Sequence, residues 1–427
     1  MQRVLTCSVA LMSWALAVAP AFAQLRGHGG PVRALAISAD AQTALSGSFD
    51  SSAIRWSLRR NAAEQVLRFH DGAVNAVAML QDGRLATAGE DGRVALWTPG
   101  KQAPDRVLEG HQGPVVALAV SPDGTTLASA SWDHTLRLWP LAGGAPRILE
   151  GHQQNVNGVA FTPDGAALVS AGYDATVRIW PLQGAAAPRI VTLSAPLNAV
   201  VVAPDGEIIA AGADGSVSFL SPRGEQRDKI SVAQTPIIAL AQARDGERLA
   251  AASIQGAIAV IERKERKVAR VIVGPGLPVW SAVFLPDNRT LLTGGADAMI
   301  RRWDTQTGEP IGALPFDTAN DPLAAYGNDP GARVYRACIA CHTLHPDAGN
   351  RAGPTLHGIF GRRIASLPGY NFSKALKHLD IVWTPETVAK LFEVGPARYT
   401  PGTKMPEQHL GAADRDALIA FLKKATQ

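Results

Sequence analysis

The sequence predicts two folds in one chain: a large all-β region made by repeating one unit, then a small domain of a different kind that carries the chemistry. Three observations predict this. Tryptophans stand at Trp56, Trp97, Trp139 and Trp180, at intervals of 41, 42 and 41 residues, and Trp303 follows 123 residues later, three more periods of 41. Each lies six residues beyond an aspartate (Asp50, Asp91, Asp133, Asp174, Asp297). After Trp303 the period stops, and a new segment leads to Cys338-x-x-Cys341-His342. Composition agrees. Of 427 residues 46% are apolar and 18% charged, enough for a buried core and too apolar for disorder, while 41 Gly and 29 Pro favour short strands and turns. Three cysteines exclude a disulfide scaffold, and a net charge of +4 is too small in a chain this long to indicate nucleic acid without a clustered patch.

The first element, residues 1–23, reads as a secretory signal. Arg3 precedes an apolar run from Ser8 to Ala19, and Pro20-Ala21-Phe22-Ala23 offers an A-x-A cleavage site before Gln24. That run is shorter than the roughly 20 residues a membrane-spanning helix needs. Cleavage would remove Cys7 and leave only Cys338 and Cys341. No later stretch is long and uncharged enough to span a bilayer, so the mature protein is expected in a bacterial periplasm.

Residues 24–316 hold the repeats. The tryptophans sit in strand-like runs (Ala53–Ser57, Arg93–Trp97, Leu136–Trp139, Val177–Trp180, Met299–Trp303), with Gly27-His28, His70, Gly110-His111 and Gly151-His152 upstream. Asp82-Gly83, Pro122-Asp123-Gly124, Pro163-Asp164-Gly165, Pro204-Asp205-Gly206 and Asp245-Gly246 mark turns at strand-length intervals. In these features the chain resembles the WD-repeat family, whose unit of about 40 to 45 residues forms one four-stranded propeller blade. Counting periods gives an all-β propeller of seven blades. In the fifth and sixth, Leu220 and Ile261 replace Trp while Leu193 and Ala233 replace His; the seventh has Pro275 at the His position. A single blade cannot bury both its apolar faces, and stacking blades until they close into a ring does so. The closing outer strand is expected from Pro310–Phe316 rather than from the N-terminus around Leu25, because few residues precede His28 after cleavage.

His, Ser or Thr, Asp and Trp recur within blades (His70, Thr87, Asp91, Trp97; His111, Ser129, Asp133, Trp139). Their recurrence argues against a catalytic triad, since an active site is needed once. The resemblance implies instead a hydrogen-bonded network that satisfies buried polar groups. Just before the turn aspartates stand Phe49, Trp132 and Tyr173, with Glu90 in the second blade. On the family's geometry these lie on a rim used for partners, where the aromatics serve either as interface anchors or as cover for turn backbone.

Residues 317–330, rich in Asp, Asn, Pro and Ala, read as a linker, and residues 331–427 as the second domain. A short helical pattern over Ala332–Ala337 leads into Cys338-Ile339-Ala340-Cys341-His342, the attachment signature of c-type haem: two thiols for the vinyl groups and an imidazole for the iron. A redox dithiol would want a βαβ context and a zinc site a second ligand pair, and neither is present. The domain resembles a class I c-type cytochrome of the mitochondrial type, on Ala352-Gly353-Pro354-Thr355-Leu356-His357-Gly358, Gly361-Arg362, Pro368-Gly369-Tyr370, Trp383, Tyr399-Thr400-Pro401-Gly402-Thr403-Lys404-Met405 and a closing helix over Asp416–Ala425. The resemblance implies an all-α fold, one covalent haem c, and His342 and Met405 as iron ligands. It also implies that Pro354 accepts from the His342 ring, that Arg362 and Trp383 donate to a haem propionate, and that Thr403 holds the distal loop. Phe392 and Phe372 depart from the pattern, where tyrosines would add hydrogen bonds. His345, His357, His378 and His409 are expected to be structural or surface residues.

His/Met ligation fills the iron's coordination sphere, which predicts an electron carrier rather than a catalyst. Residues 331–427 carry 13 Lys or Arg and 7 Asp or Glu, leaving a net −3 on propeller and linker. A basic haem edge with Lys404 beside Met405 would steer towards acidic redox partners or dock on the chain's own propeller. Two other functions carry distinct signatures: an oxidoreductase with a second cofactor in the propeller, and a haem-based redox or gas sensor with exchangeable ligands.

Overall fold

The structure, a computed structural model, describes residues 24–184, 186–274, 277–311, 323–335, 338, 342–345, 353–368, 370, 372, 374–401, 403, 405 and 410–426. The signal expected over residues 1–23 lies outside them. Residues 24–304 form seven four-stranded antiparallel sheets. The first blade runs outward through Val32–Ile37, Thr43–Ser48, Ser52–Ser57 and Ala62–Arg68. Its innermost strand recurs as Val74–Met79, Val115–Val120, Val156–Phe161, Leu197–Val202, Ile237–Gln242 and Val279–Phe284. Each inner strand touches the next in order, and the last returns to the first, so the ring closes. The second strands are buried on both faces because every blade lies between two others. Small residues there, such as Ala44, Ala86, Ala128 and Ala250, let the sheets approach.

One expectation fails at the closure. The fourth strand of blade seven is Gln24–Arg26, pairing Leu25 with Ile300 on strand Met299–Asp304. Three residues suffice because Leu25 is fully buried among Ile54, Trp56, Leu292 and Ile300. From the other direction the described residues contribute one isolated bridge, Trp303 with Pro310, and residues 312–316 of the strand expected there lie outside them. Pro310 has no N–H to extend that ladder.

Degenerate blades five and six are complete sheets, so their sequence losses did not cost them the fold. In blade five Lys229 Nζ meets Asp214 at 2.8 Å, and in blade seven Arg301 pairs with Asp297. Both put a cation on the turn aspartate where histidine stands in blades one to four.

The C-terminal domain is built from short helices: Pro330–Tyr335, Lys374–Lys377, Pro385–Val394, Pro396–Tyr399 and Ala412–Ala425. The closing helix therefore begins one turn before Asp416. It crosses the first helix at Gly331, where an added Cβ would lie 2.1 Å from the Ala417 carbonyl oxygen. That crossing brings Tyr335 and Tyr326 against Phe421, at ring separations of 5.5 and 4.9 Å. Thr384 caps the helix Pro385–Val394 in a reciprocal pair with Thr387. Among the described residues no helix is long and apolar enough to cross a membrane.

Candidate functional site

In blades one to four the polar residues satisfy one another. His111 Nδ1 meets Asp133 at 2.8 Å and Nε2 meets Ser129 Oγ at 2.7 Å, while Trp139 Nε1 donates to the same hydroxyl at 2.8 Å. His28, Asp50, Ser46 and Trp56 repeat this arrangement, as do His70, Asp91, Thr87 and Trp97, and His152, Asp174, Ser170 and Trp180. Burial pushes each aspartate's pKa up, but hydrogen bonds and the charge of the facing imidazole overcome it and hold the carboxyls below the ordinary range. No nucleophile is left over in these clusters, whose hydroxyls bridge His to Trp.

The rim aromatics are exposed by 44% at Phe49, 43% at Trp132 and 45% at Tyr173. Trp132 Nε1 donates to Asn157 on an inner strand at 3.0 Å, and Phe49 lies 5.9 Å from Trp280 on another. They therefore gather on the face where the inner strands begin. Glu90 instead accepts from the Ala73 backbone N–H at 3.2 Å.

The C-terminal domain is organised differently, around a cavity of about 460 Å³. Cys338, His342, Pro354, Arg362, Trp383, Thr403 and Met405 all line it. Cys341 and Lys404 lie outside the described residues, as does His409. Backbone bonds from Cys338 N to the Tyr335 carbonyl at 2.7 Å and from His342 N to the Cys338 carbonyl at 2.8 Å set Cys338 and His342 one turn apart on one side of the chain. His342 Nδ1–H donates to the Pro354 carbonyl at 2.7 Å, which fixes the tautomer and leaves the Nε2 lone pair free. No described residue hydrogen-bonds Nε2. Burial first, with the charges of Arg68 and Arg362 adding to it, holds this imidazole's pKa below its ordinary value despite the Pro354 bond.

Gly353 is required by the ring: a Cβ there would sit 2.4 Å from His342 Cε1. On the same lining, Thr403 Oγ1 accepts from Met405 N at 3.1 Å, and Thr403 N donates to the Thr400 carbonyl at 3.0 Å, so the Met405 loop is tied to the helix before it. Arg362 spends two of its N–H groups on the carbonyls of His357 and Thr355, at 3.1 and 2.8 Å, and burial lowers its pKa. Its remaining donors are open to a carboxylate. Phe372 and Phe392 lie on the lining, while His345 and His378 are exposed. A thiol, a tautomer-fixed imidazole and a thioether on the wall of an apolar cavity fit haem c, with arginines for its carboxylates. Tyr335 and Arg68 are among the lining residues that escape sequence reasoning. Tyr335, whose hydroxyl donates to the His342 carbonyl at 3.1 Å, carries the signal of standing three residues before Cys338. Arg68 belongs to the propeller, and nothing in its local sequence marks it.

Residues 329–426 match the family described as Cytochrome c, and residues 21–57, 62–98, 102–140, 144–181 and 266–304 match WD domain, G-beta repeat. The unmatched interval, residues 182–265, holds degenerate blade five and the first three strands of degenerate blade six. Among similar proteins, a cytochrome c of Gibberella zeae is 42% identical over 99 residues, 23% of this chain and 92% of that protein. One of Arabidopsis thaliana is 41% identical over 99 residues, 23% of this chain and 88% of that protein. Cytochrome c type-1 of Ascaris suum is 42% identical over 98 residues, 22% of this chain and 84% of that protein.

Proposed function

The chain belongs to the cytochrome c family through residues 329–426 and carries a seven-bladed WD-repeat propeller ahead of them, and on that premise we propose an exported, periplasmic carrier of single electrons whose propeller is a platform for docking redox partners. In this reading Cys338 and Cys341 hold haem c covalently and His342 and Met405 bind its iron. Bound haem would supply a one-electron couple, and two protein ligands would leave no open position for a substrate. The residues' work is then positional. Pro354 keeps His342 in one tautomer, Thr403 anchors the Met405 loop, and Arg362 and Trp383 would donate to a propionate. The observation that carries the reading is the His342 ring: one nitrogen fixed by the Pro354 carbonyl at 2.7 Å, the other without a partner among the described residues, in a cavity that Met405 also lines.

Docking is assigned to the rim of Phe49, Trp132 and Tyr173, exposed aromatics gathered on one face, with Lys404 as a contact on the haem side. The amino-terminal pattern Arg3, Ser8–Ala19 and Ala21-Phe22-Ala23 supports export.

The test is a reduced-minus-oxidised spectrum with cofactor analysis on the full chain, matured in cells that attach c-type haem. One covalent haem, a weak Met-to-iron charge-transfer band in the oxidised form and no carbon monoxide binding in the reduced form are expected. A second chromophore would put an active centre in the propeller, and carbon monoxide binding would make the protein a sensor; either overturns the carrier.

A further inference from the structure

Every described residue lining the cavity belongs to the C-terminal domain except one, Arg68. It ends the outer strand Ala62–Arg68 of the first blade and is half-buried. No described residue gives its guanidinium a hydrogen bond or an ion pair. The nearest carboxylate on its own strand, Glu64, is committed to Arg55 and Arg60. The lining holds two other arginines and, among the described residues, no Asp or Glu. Arg363 is paired with Asp380 at 3.3 Å and Arg362 is bonded to two carbonyls, so of the described lining arginines only Arg68 has neither bond nor ion pair to another described residue. It is close enough for its charge to act on the His342 ring.

A half-buried guanidinium that shares a cavity wall with two more arginines is unfavourable unless an anion completes the site. Haem brings two carboxylates to this cavity. We propose that Arg68 is a haem-facing residue supplied by the propeller, and that through it docking of the two domains is coupled to the oxidation state of the iron. This rests on the haem reading above and deepens it.

The coupling follows from charge. Oxidised haem carries one more positive charge than reduced haem, so a fixed cation beside it disfavours the oxidised form and raises the reduction potential. Coupling is reciprocal: the factor by which docking favours reduction is the factor by which reduction tightens docking. The propeller is then a part of the haem site that holds more firmly once an electron has arrived.

The experiment uses full-length, haem-loaded protein with Arg68→Lys, Arg68→Gln and Arg68→Glu, and reads the midpoint potential at low and high salt. Arg68→Lys should stay near wild type. Arg68→Gln should shift the equilibrium towards the oxidised form about threefold to tenfold, tenfold being 59 mV for one electron, and Arg68→Glu should shift it further. High salt should narrow the series. Hydrogen exchange over strand Ala62–Arg68 should slow on reduction in wild type and lose that dependence in Arg68→Gln. Four proteins with covalent haem and one common potential would overturn the Arg68 proposal and leave the carrier standing. Wild type that attaches no haem would overturn both.

Discussion

The histidines of blades one to four are buried and His342 is half-buried on a cavity wall, and they differ in what their ring nitrogens meet. His111 has Asp133 on one nitrogen and Ser129 on the other, both from its own blade. His342 has a backbone carbonyl on one nitrogen and a cavity before the other. The first arrangement consumes the imidazole as structure. The second orients it and withholds nothing from a ligand. The count of satisfied ring nitrogens is what separates the structural histidines from the functional one.

Substitution should turn that contrast into opposite phenotypes. His342→Ala is expected to have the largest effect: haem still tethered through Cys338 and Cys341 would lose its low-spin spectrum entirely and bind added imidazole. A spectrum that survives would remove His342 from the iron. His111→Ala should leave spectrum and potential unchanged and cost the propeller about 1–3 kcal/mol, because the Asp133 carboxyl and Ser129 hydroxyl lose buried partners. Denaturant unfolding followed by tryptophan fluorescence measures it. A shifted potential in that variant would mean that the propeller network reaches the haem.

Much of this contrast was legible in the sequence because both sites are local or periodic. The Trp and Asp spacing fixes seven blades, and Cys338-x-x-Cys341-His342 fixes the attachment site without long-range information. What the sequence hid depends on residues far apart. Blades five and six have no His or Trp to announce them, and they are joined by an ionic cluster in which Arg263 meets Asp205 and Glu207, both at 2.7 Å, and Arg266 also pairs with Glu207. Arg266 lies 4.0 Å over the buried ring of Phe219. Those partners are separated by more than one repeat, so no motif within a blade could show them. The closing strand was misjudged for a related reason. Counting residues before His28 ignores how much three residues gain when Leu25 is fully buried. Arg68 was invisible because its partner is a cavity in another domain.

The smallest effect separating the two classes of histidine is in acid. Burial raises the pKa of the Asp133 carboxyl, but the side-chain bond from His111, the backbone bond from Gln112 and the Thr135 hydroxyl outweigh it and hold the carboxyl well below its ordinary 3.8. A carboxyl depressed in the folded state contributes stability that is fully present above the unfolded value and is lost as pH falls through the folded one. His111→Ala removes one of those bonds, so less remains to be lost. Wild type should therefore lose more propeller stability than the variant between about pH 4 and about pH 2, and the two unfolding midpoints should converge in that interval. Parallel acid slopes would mean that the imidazole fills space beside Asp133 without stabilising its charge. The contrast with His342 would then rest on geometry alone.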